Sequence, residues 1–231
     1  MKALIIIPAY NEERSIERVV QSVVSAGYDY VVINDGSRDN TAAICEREGF
    51  NIVNLPVNLG IGGAVQTGHR YALEHGYDAD VQFDGDGQHD ATCIAPLLQR
   101  LEKGYDLVIG SRFISQENTF KSSTARRGGI AILRAILKMV THQTITDPTS
   151  GFRACGTRAI ALFAETYPHD YPEPESIAYA IGSSLRVSEV PVIMHERREG
   201  TSSIGIIASA YYMIKVSLAI ILTRVSKKRE Q

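Results

Sequence analysis

The stretch QFDGDGQHD, Gln82 to Asp90, gathers three aspartates, two glutamines and a histidine around two glycines. Asp84 and Asp86 stand two apart with Gly85 between them. Carboxylates this close repel one another unless a cation sits with them. Glycine lets the backbone turn closely past a ligand. Mg2+ and Mn2+ take one or two protein carboxylates and leave their other positions to water and substrate phosphates. Gln88 adds a neutral oxygen, so Asp84, Asp86 and Gln88 are the candidate ligands for Mg2+ or Mn2+. A calcium loop does not fit: its sixth position would be His89 instead of glycine, and its twelfth Ala95 instead of glutamate. Taken alone, the stretch reads equally as a solvated Asp/Gly turn.

Three further clusters give it company. NDGSRDNT places Asp35 where a carboxylate can accept hydrogen bonds from a base or a ribose, although Asp35, Ser37 and Asp39 also suit a turn that caps the next helix. PAYNEE offers Tyr10 as a ring to cover a base and Glu12 at a helix start, where an acidic residue meets the helix dipole favourably. NLGIGGAVQTG, with Gly60, Gly62 and Gly63, mimics part of a dinucleotide fingerprint, but Val65 stands in the last glycine position. It follows a third strand, not the first, and reads as a tight strand-to-helix crossing.

The elements that must carry these clusters show in the pattern of the first ~110 residues. Short apolar runs alternate with amphipathic stretches, the sign of a βα repeat with a mainly parallel sheet. The spacing predicts strands at Ala3–Ile7, Tyr30–Asn34, Asn51–Leu55, Asp80–Phe83 and Asp106–Ile109. Ile16, Val19, Val20, Val23 and Val24 keep helical spacing, with Asn11 as cap and Gly27 as terminator. Further helices fit Gly62–His75, Ala91–Lys103 and residues 126–141, and a late strand fits Leu185–Val192, with Pro191 at an edge or bend. Such sheets bind ligands at the carboxyl ends of their strands, where the polar clusters fall.

Composition sets the bounds. The chain has 231 residues, 44% of them hydrophobic, enough for one large core, and no linker divides it. Cys45, Cys93 and Cys155 form no CxxC pair, which argues for a reducing compartment and against disulfides or structural zinc. The N-terminus enters a strand-like run at once, so no secretory leader is expected. Residues 1–110 hold 8 Lys/Arg against 16 Asp/Glu, and residues 111–231 hold 16 against 10. That asymmetry reads either as two differently solvated faces or as a metal-binding half beside a half that receives anions. No nucleic-acid partner is expected.

Together IIIPAYNEE, VINDGSRDNT, NLGIGGAVQTG, QFDGDGQHD, GSRF, DPTSGFRA and RREGTSS resemble the series found in inverting family 2 glycosyltransferases of the GT-A fold. The resemblance runs from about residue 3 to residue 203 and is strongest to the polyprenyl-phosphate, dolichol-phosphate mannose synthase type. It implies an α/β catalytic domain over 1–203, with 204–231 as an apolar helix and basic tail. It implies that Pro8, Tyr10, Glu12, Ile33 and Asp35 line the nucleotide of a UDP- or GDP-linked sugar. Asp84, Gly85 and Asp86 would form the DxD motif, with Gln88 beside it. Arg112 and Arg197 would face phosphates; the guanidinium fork suits phosphate oxygens. Arg126 or Arg127, Ser150 and Arg153 would lie near the acceptor. Two departures weaken the acceptor side: Ser202-Ser203 stands where relatives have Ser-Lys, and GGIA follows the arginine pair where a serine is expected.

A hydroxyl acceptor needs a carboxylate base; a phosphate monoester, with a second pKa of about 6, does not. Family members that use hydroxyls carry Glu-Asp where this chain has YPEPES. No such pair stands here, so Glu175 or Glu173 is a candidate base, and both suit equally the holding of a loop or of an arginine beside the site, the reading that goes with a phosphate acceptor. The expected acceptor is a polyprenyl phosphate at the cytoplasmic face of the membrane. The alternatives are extension of a polysaccharide on a sugar hydroxyl and a non-catalytic sugar-nucleotide-binding scaffold. Ile204–Val225 has 22 residues, about 33 Å as a helix. Lys215 near its middle disfavours a span. The segment reads as a helix on the inner leaflet, helped by Lys227, Lys228 and Arg229, or as a homo-oligomer contact.

Overall fold

The computed structural model describes residues 1–114, 124–169 and 172–195 and the single positions 215, 217 and 218, with side chains left aside at 124–126. Arg197, the Ser202-Ser203 pair and nearly all of the 204–225 segment lie outside the described residues. Among the described residues, no helix is long and apolar enough to cross a membrane.

The chain opens with β1 (Ala3–Ala9), buried along its whole length. A strand buried on both faces needs a continuous apolar run, as ALIIIPA supplies. Its side chains alternate between two cores: Leu4 and Ile6 enter one, Ala3, Ile5 and Ile7 the other. Helix α1 (Ile16–Ser25) buries Ile16, Val19, Val20 and Val23 in the second. Gly27, at φ +82°, ends it as the sequence suggests. Asn11 is not its cap. Asn11 sits in a left-handed turn at φ +57°, and its Oδ1 accepts the Arg38 N–H at 2.8 Å.

Strands β2 (Asp29–Asn34), β3 (Ile52–Asn54) and β4 (Ala79–Gln82) alternate with α2 (Thr41–Arg47) and α3 (Gly60–Glu74). A short 3-10 turn at Ala91–Cys93 leads into α4 (Ile94–Glu102) and then β5 (Leu107–Ser111). The second half adds α5 (Thr124–Thr141), β6 (Arg153–Gly156), α6 (Thr157–Glu165), α7 (Pro172–Gly182) and β7 (Val187–Pro191). The sheet order is β3-β2-β1-β4-β6-β5-β7. All pairings are parallel except those of β6, which runs antiparallel to both β4 and β5. Helices α1, α2 and α4 cover one face; α3, α5, α6 and α7 cover the other.

The glycines of α3 serve packing. A Cβ on Gly62 would stand 2.1 Å from the Pro168 carbonyl oxygen, and one on Gly68 would stand 2.3 Å from Ile6 Cγ2. The run is a tight crossing into a helix pressed against the sheet, as the sequence indicates. The expected strands and helices appear with boundaries shifted by a few residues. β6, α6 and α7 lack a counterpart in the sequence reading.

Candidate active site

Parallel strands deliver their ends to one edge of the sheet. Because β6 runs the other way, its beginning arrives at that same edge, and with it Ser150 and Arg153. The edge therefore collects the loops after β1, β2, β4, β5 and β7 and the approach to β6.

The DxD loop packs on PAYNEE. Gly85 donates its N–H to the Pro8 carbonyl at 3.3 Å, and a Cβ there would stand 3.0 Å from that oxygen. Asp84 and Asp86 are half-buried. Asp84 Oδ1 accepts from Gln82 Nε2 at 3.0 Å, and its backbone N–H donates to His89 Nδ1 at 3.1 Å. Asp86 Oδ1 accepts the Gln88 N–H at 3.0 Å. Gln88 is tied to the segment after β7: its carbonyl accepts the His195 N–H at 2.8 Å and its Nε2 donates to the His195 carbonyl at 3.2 Å. That leaves Gln88 Oε1 as the end able to face a ligand. Two carboxylates and an amide oxygen form a hard donor set, which suits Mg2+ or Mn2+ and not a thiolate-seeking metal. The residues fit the cation that the sequence implies.

On the other side, Ile33 is fully buried beneath the loops, and Tyr10 stays 44% exposed. The Glu12 carboxylate accepts from Ser15 Oγ at 2.9 Å, and Glu12 N–H donates to Thr41 Oγ1 at 2.8 Å. Asp35 is 3% exposed, and its Oδ1 accepts the Leu59 N–H at 2.6 Å. Burial raises its pKa, while backbone N–H groups of Leu59 and Gly60 pull it back. Asp35 thus ties the end of β2 to the start of α3. Ser37 and Asp39 serve the turn: Ser37 Oγ accepts the Asn11 N–H, and Asp39 accepts from Thr41 and Glu13.

The two arginines of GSRF and SGFR are both interior. Arg112 is forked onto Asp147, with Nε–Oδ2 and Nη2–Oδ1 each at 2.7 Å, and the pair is 3% and 0% exposed. Thr149 Oγ1 takes a further Nη2 bond at 2.8 Å. Asp147 is held in turn by Glu189 of β7, whose carboxylate accepts the N–H groups of Thr146 and Asp147 at 2.7 and 2.9 Å. Arg112 therefore organises the loop before β6, and its charge is already matched by a carboxylate. Arg153, 1% exposed, meets neutral acceptors: Nε bonds the Ser150 carbonyl at 3.2 Å, and Nη1 bonds Ser176 Oγ at 2.7 Å and the Glu173 carbonyl at 3.3 Å. It joins the SGFR loop to the first turn of α7. Glu173 and Glu175, both half-buried, sit in that turn behind Pro172. Burial pushes the Glu173 carboxyl up, Arg153 draws it down, and Asp84 raises it further. The Glu173 carboxyl thus stands in the field of the DxD loop. Arg127 lies exposed in the first turn of α5, beside Arg126, whose side chain is not described.

Asp147, Glu189, His89 and Ser176 carry this architecture without having drawn a role from the sequence. Asp147 lies inside the quoted DPTSGFRA, and its signal was a carboxylate shortly before an arginine. Glu189 was the one charge in the strand VSEVP.

A mainly parallel sheet with acidic, oxygen-donor loops at its strand ends is the frame expected of a glycosyltransferase of the GT-A class. A family model described as glycosyl transferase family 2 matches residues 4–163, and the chain belongs to that family. It is 32% identical over 233 residues to an undecaprenyl-phosphate mannosyltransferase of Micrococcus luteus, covering 91% of each chain. It is also 32% identical over 209 residues to a UDP-N-acetylglucosamine–dolichyl-phosphate N-acetylglucosaminyltransferase of Methanococcus voltae, covering 81% of this chain and 83% of that one. In fold it resembles glucosyl-3-phosphoglycerate synthase of Mycobacterium tuberculosis, solved with Mn2+, UDP-glucose and phosphoglyceric acid. The TM-score is 0.68 at 19% identity, over 98% of this chain and 79% of that one.

Proposed function

We propose that this glycosyltransferase moves a sugar from a nucleoside-diphosphate sugar to a polyprenyl phosphate. The observation that carries the reading is the strand-end pair Asp84 and Asp86, beside Gln88, opposite the buried Arg153. Pro8, Tyr10, Glu12 and Asp35 border the nucleotide, and Ile33, expected there from the sequence, packs in the core behind them. Asp84, Asp86 and Gln88 hold Mg2+ or Mn2+, which supplies positive charge to the departing diphosphate. An oxygen of the acceptor phosphate attacks the anomeric carbon in line. The bond from that carbon to the diphosphate breaks, its electron pair leaves with the diphosphate, and the configuration inverts. The sugar passes through an oxocarbenium-like state, as in glycoside hydrolysis. The acceptor, with its second pKa at about 6, is already anionic near neutral pH and needs no base. Arg127, with Arg126 and Arg197, supplies cationic charge for acceptor or diphosphate, and Ser150 and Arg153 shape the acceptor wall. Residues 204–231 lie on the cytoplasmic membrane surface; co-sedimentation with anionic vesicles that falls as salt rises checks this.

A second reading has its own support. Glu173 sits in the field of Asp84 and Arg153 with a raised pKa, as a base for a sugar hydroxyl would. One assay separates the two. The purified chain is given UDP- and GDP-sugars with Mn2+ and either undecaprenyl phosphate or an oligosaccharide. Transfer to the lipid, kept in Glu173→Gln and cut about 100-fold or more in Asp86→Ala, supports the proposal. Transfer to the saccharide alone, abolished in Glu173→Gln, rejects it. Donor binding with no turnover on any acceptor rejects both in favour of a binding scaffold.

A further inference from the structure

We propose that His89 is a positioning residue for Asp84, acting through a proton that its surroundings force onto Nε2. The inference rests on the metal reading above. His89 is 8% exposed, and its Nδ1 accepts the backbone N–H of Asp84 at 3.1 Å. A ring nitrogen that accepts carries no proton, so neutral His89 bears its hydrogen on Nε2. That atom lies 3.7 Å from Asp84 Oδ2. The contact is longer than a hydrogen bond; in the proposed role it shortens into one when the site is loaded.

The ring is held in this orientation. It stacks on Phe152 at 4.6 Å and 14°, and Phe83 meets it edge-on at 5.4 Å. A bridge between His89 and Met194 fixes its backbone. Asp84 is hemmed in as well. Gln82 Nε2 holds Oδ1, and the Gly151 backbone passes so close that a Cβ there would stand 3.1 Å from Oδ2. One residue therefore reads both the main chain and the carboxylate of Asp84. Gln82 Nε2 holds Oδ1, and His89 Nε2–H stands within reach of Oδ2; neutral donors fix the direction of the carboxylate without cancelling its charge, which stays available to the cation.

Two substitutions divide the two bonds. His89→Asn keeps a polar atom near the Nδ1 position and loses the donor facing Oδ2. His89→Gln places an N–H near the Nε2 position and loses the acceptor. Mn2+ is titrated onto the full chain, alone and with UDP, with free Mn2+ read by electron paramagnetic resonance; the metal-free Tm is measured in parallel. Both variants lose the stacked ring and melt lower. The Mn2+ Kd rises about tenfold in His89→Asn, the low end for loss of a ligand-orienting partner, and stays within about twofold of the native value in His89→Gln. Gln82→Met leaves His89 in place, strips Oδ1 of its donor and raises the Kd comparably. The assignment is overturned by native Mn2+ affinity in His89→Asn or Gln82→Met, or by equal weakening in both His89 variants. A native chain that binds no Mn2+, with or without UDP, removes the metal reading itself and this inference with it.

Discussion

Arg112 gives the sharpest test, because sequence and structure assign it different duties. The sequence resemblance has it facing a phosphate; the structure sets its guanidinium in a buried fork with Asp147. Breaking a buried pair by removing one partner costs about 3–5 kcal/mol, because the other charge is left without compensation. With an unfolding entropy of roughly 2.1 cal/mol/K per residue, a chain of 231 residues loses about 6–10 °C in Tm. Asp147→Asn should show this loss, and Arg112→Met a similar one. The double variant Arg112→Met with Asp147→Leu should recover at least half of it, since an apolar pair of similar volume removes both charges together. Calorimetry on the four proteins completes the cycle, and transfer rates on the same four read the chemistry. A loop-organising arginine predicts that activity follows stability around the cycle. If Asp147→Asn melts within about 1 °C of the native chain, or if the single variants simply add, the fork carries no such energy. Arg112 is then free to serve a phosphate as the resemblance suggests.

Two other perturbations bear on the interior and on Glu173. His69 Nδ1 and Asp80 Oδ2 meet at 2.7 Å in the core, both essentially unexposed. Asp80→Val alone strands a buried donor and should cost about 1–3 kcal/mol. Adding His69→Phe should return most of that in a urea melt; a double variant as weak as the single would refute the pairing argument. For Glu173, burial raises the folded pKa above its ordinary value, with Arg153 drawing it down and Asp84 adding to the rise. The folded state thus holds a proton that the unfolded chain releases, and stability declines as pH rises through that window. Glu173→Gln should remove the decline, gaining Tm over the native chain as pH rises above the ordinary carboxylate pKa. Parallel Tm profiles for the two proteins would show that the carboxyl is not perturbed.

The sequence revealed this architecture where one strand or helix carried its own signal. ALIIIPA could only be a doubly buried strand, and Val19, Val20 and Val23 could only face a core. β6 announced nothing: RACG is four residues long and begins with an arginine, and its position is imposed by β4 and β5 on either side. Helix α7 was hidden by Pro172 and Pro174, which look like loop residues. A first helical turn has no use for those N–H groups, so both prolines are tolerated there. The same contrast holds in the site. Asp84, Asp86 and Gln88 are close in sequence and could be read as a group. The match of Arg112 with Asp147 spans 35 residues, and the Glu189 contact with Asp147 spans 42. Neither is visible until the sheet brings β5, β6 and β7 together.

The reversed strand at the middle of the sheet also fixes an order of assembly. When β4 leaves the ribosome at Gln82, its lateral neighbour is still 70 residues from being made. At about 5–20 residues per second, that is roughly 4–14 s during which the nascent chain carries a four-stranded block whose β4 side is bare, and β5, made partway through, has neither neighbour to join. The arrival of Arg153–Gly156 closes the seam between β4 and β5, with β7 still to be made. The same four residues that complete the catalytic edge are thus the keystone of folding, and damage there should surface first as aggregation of newly made chains.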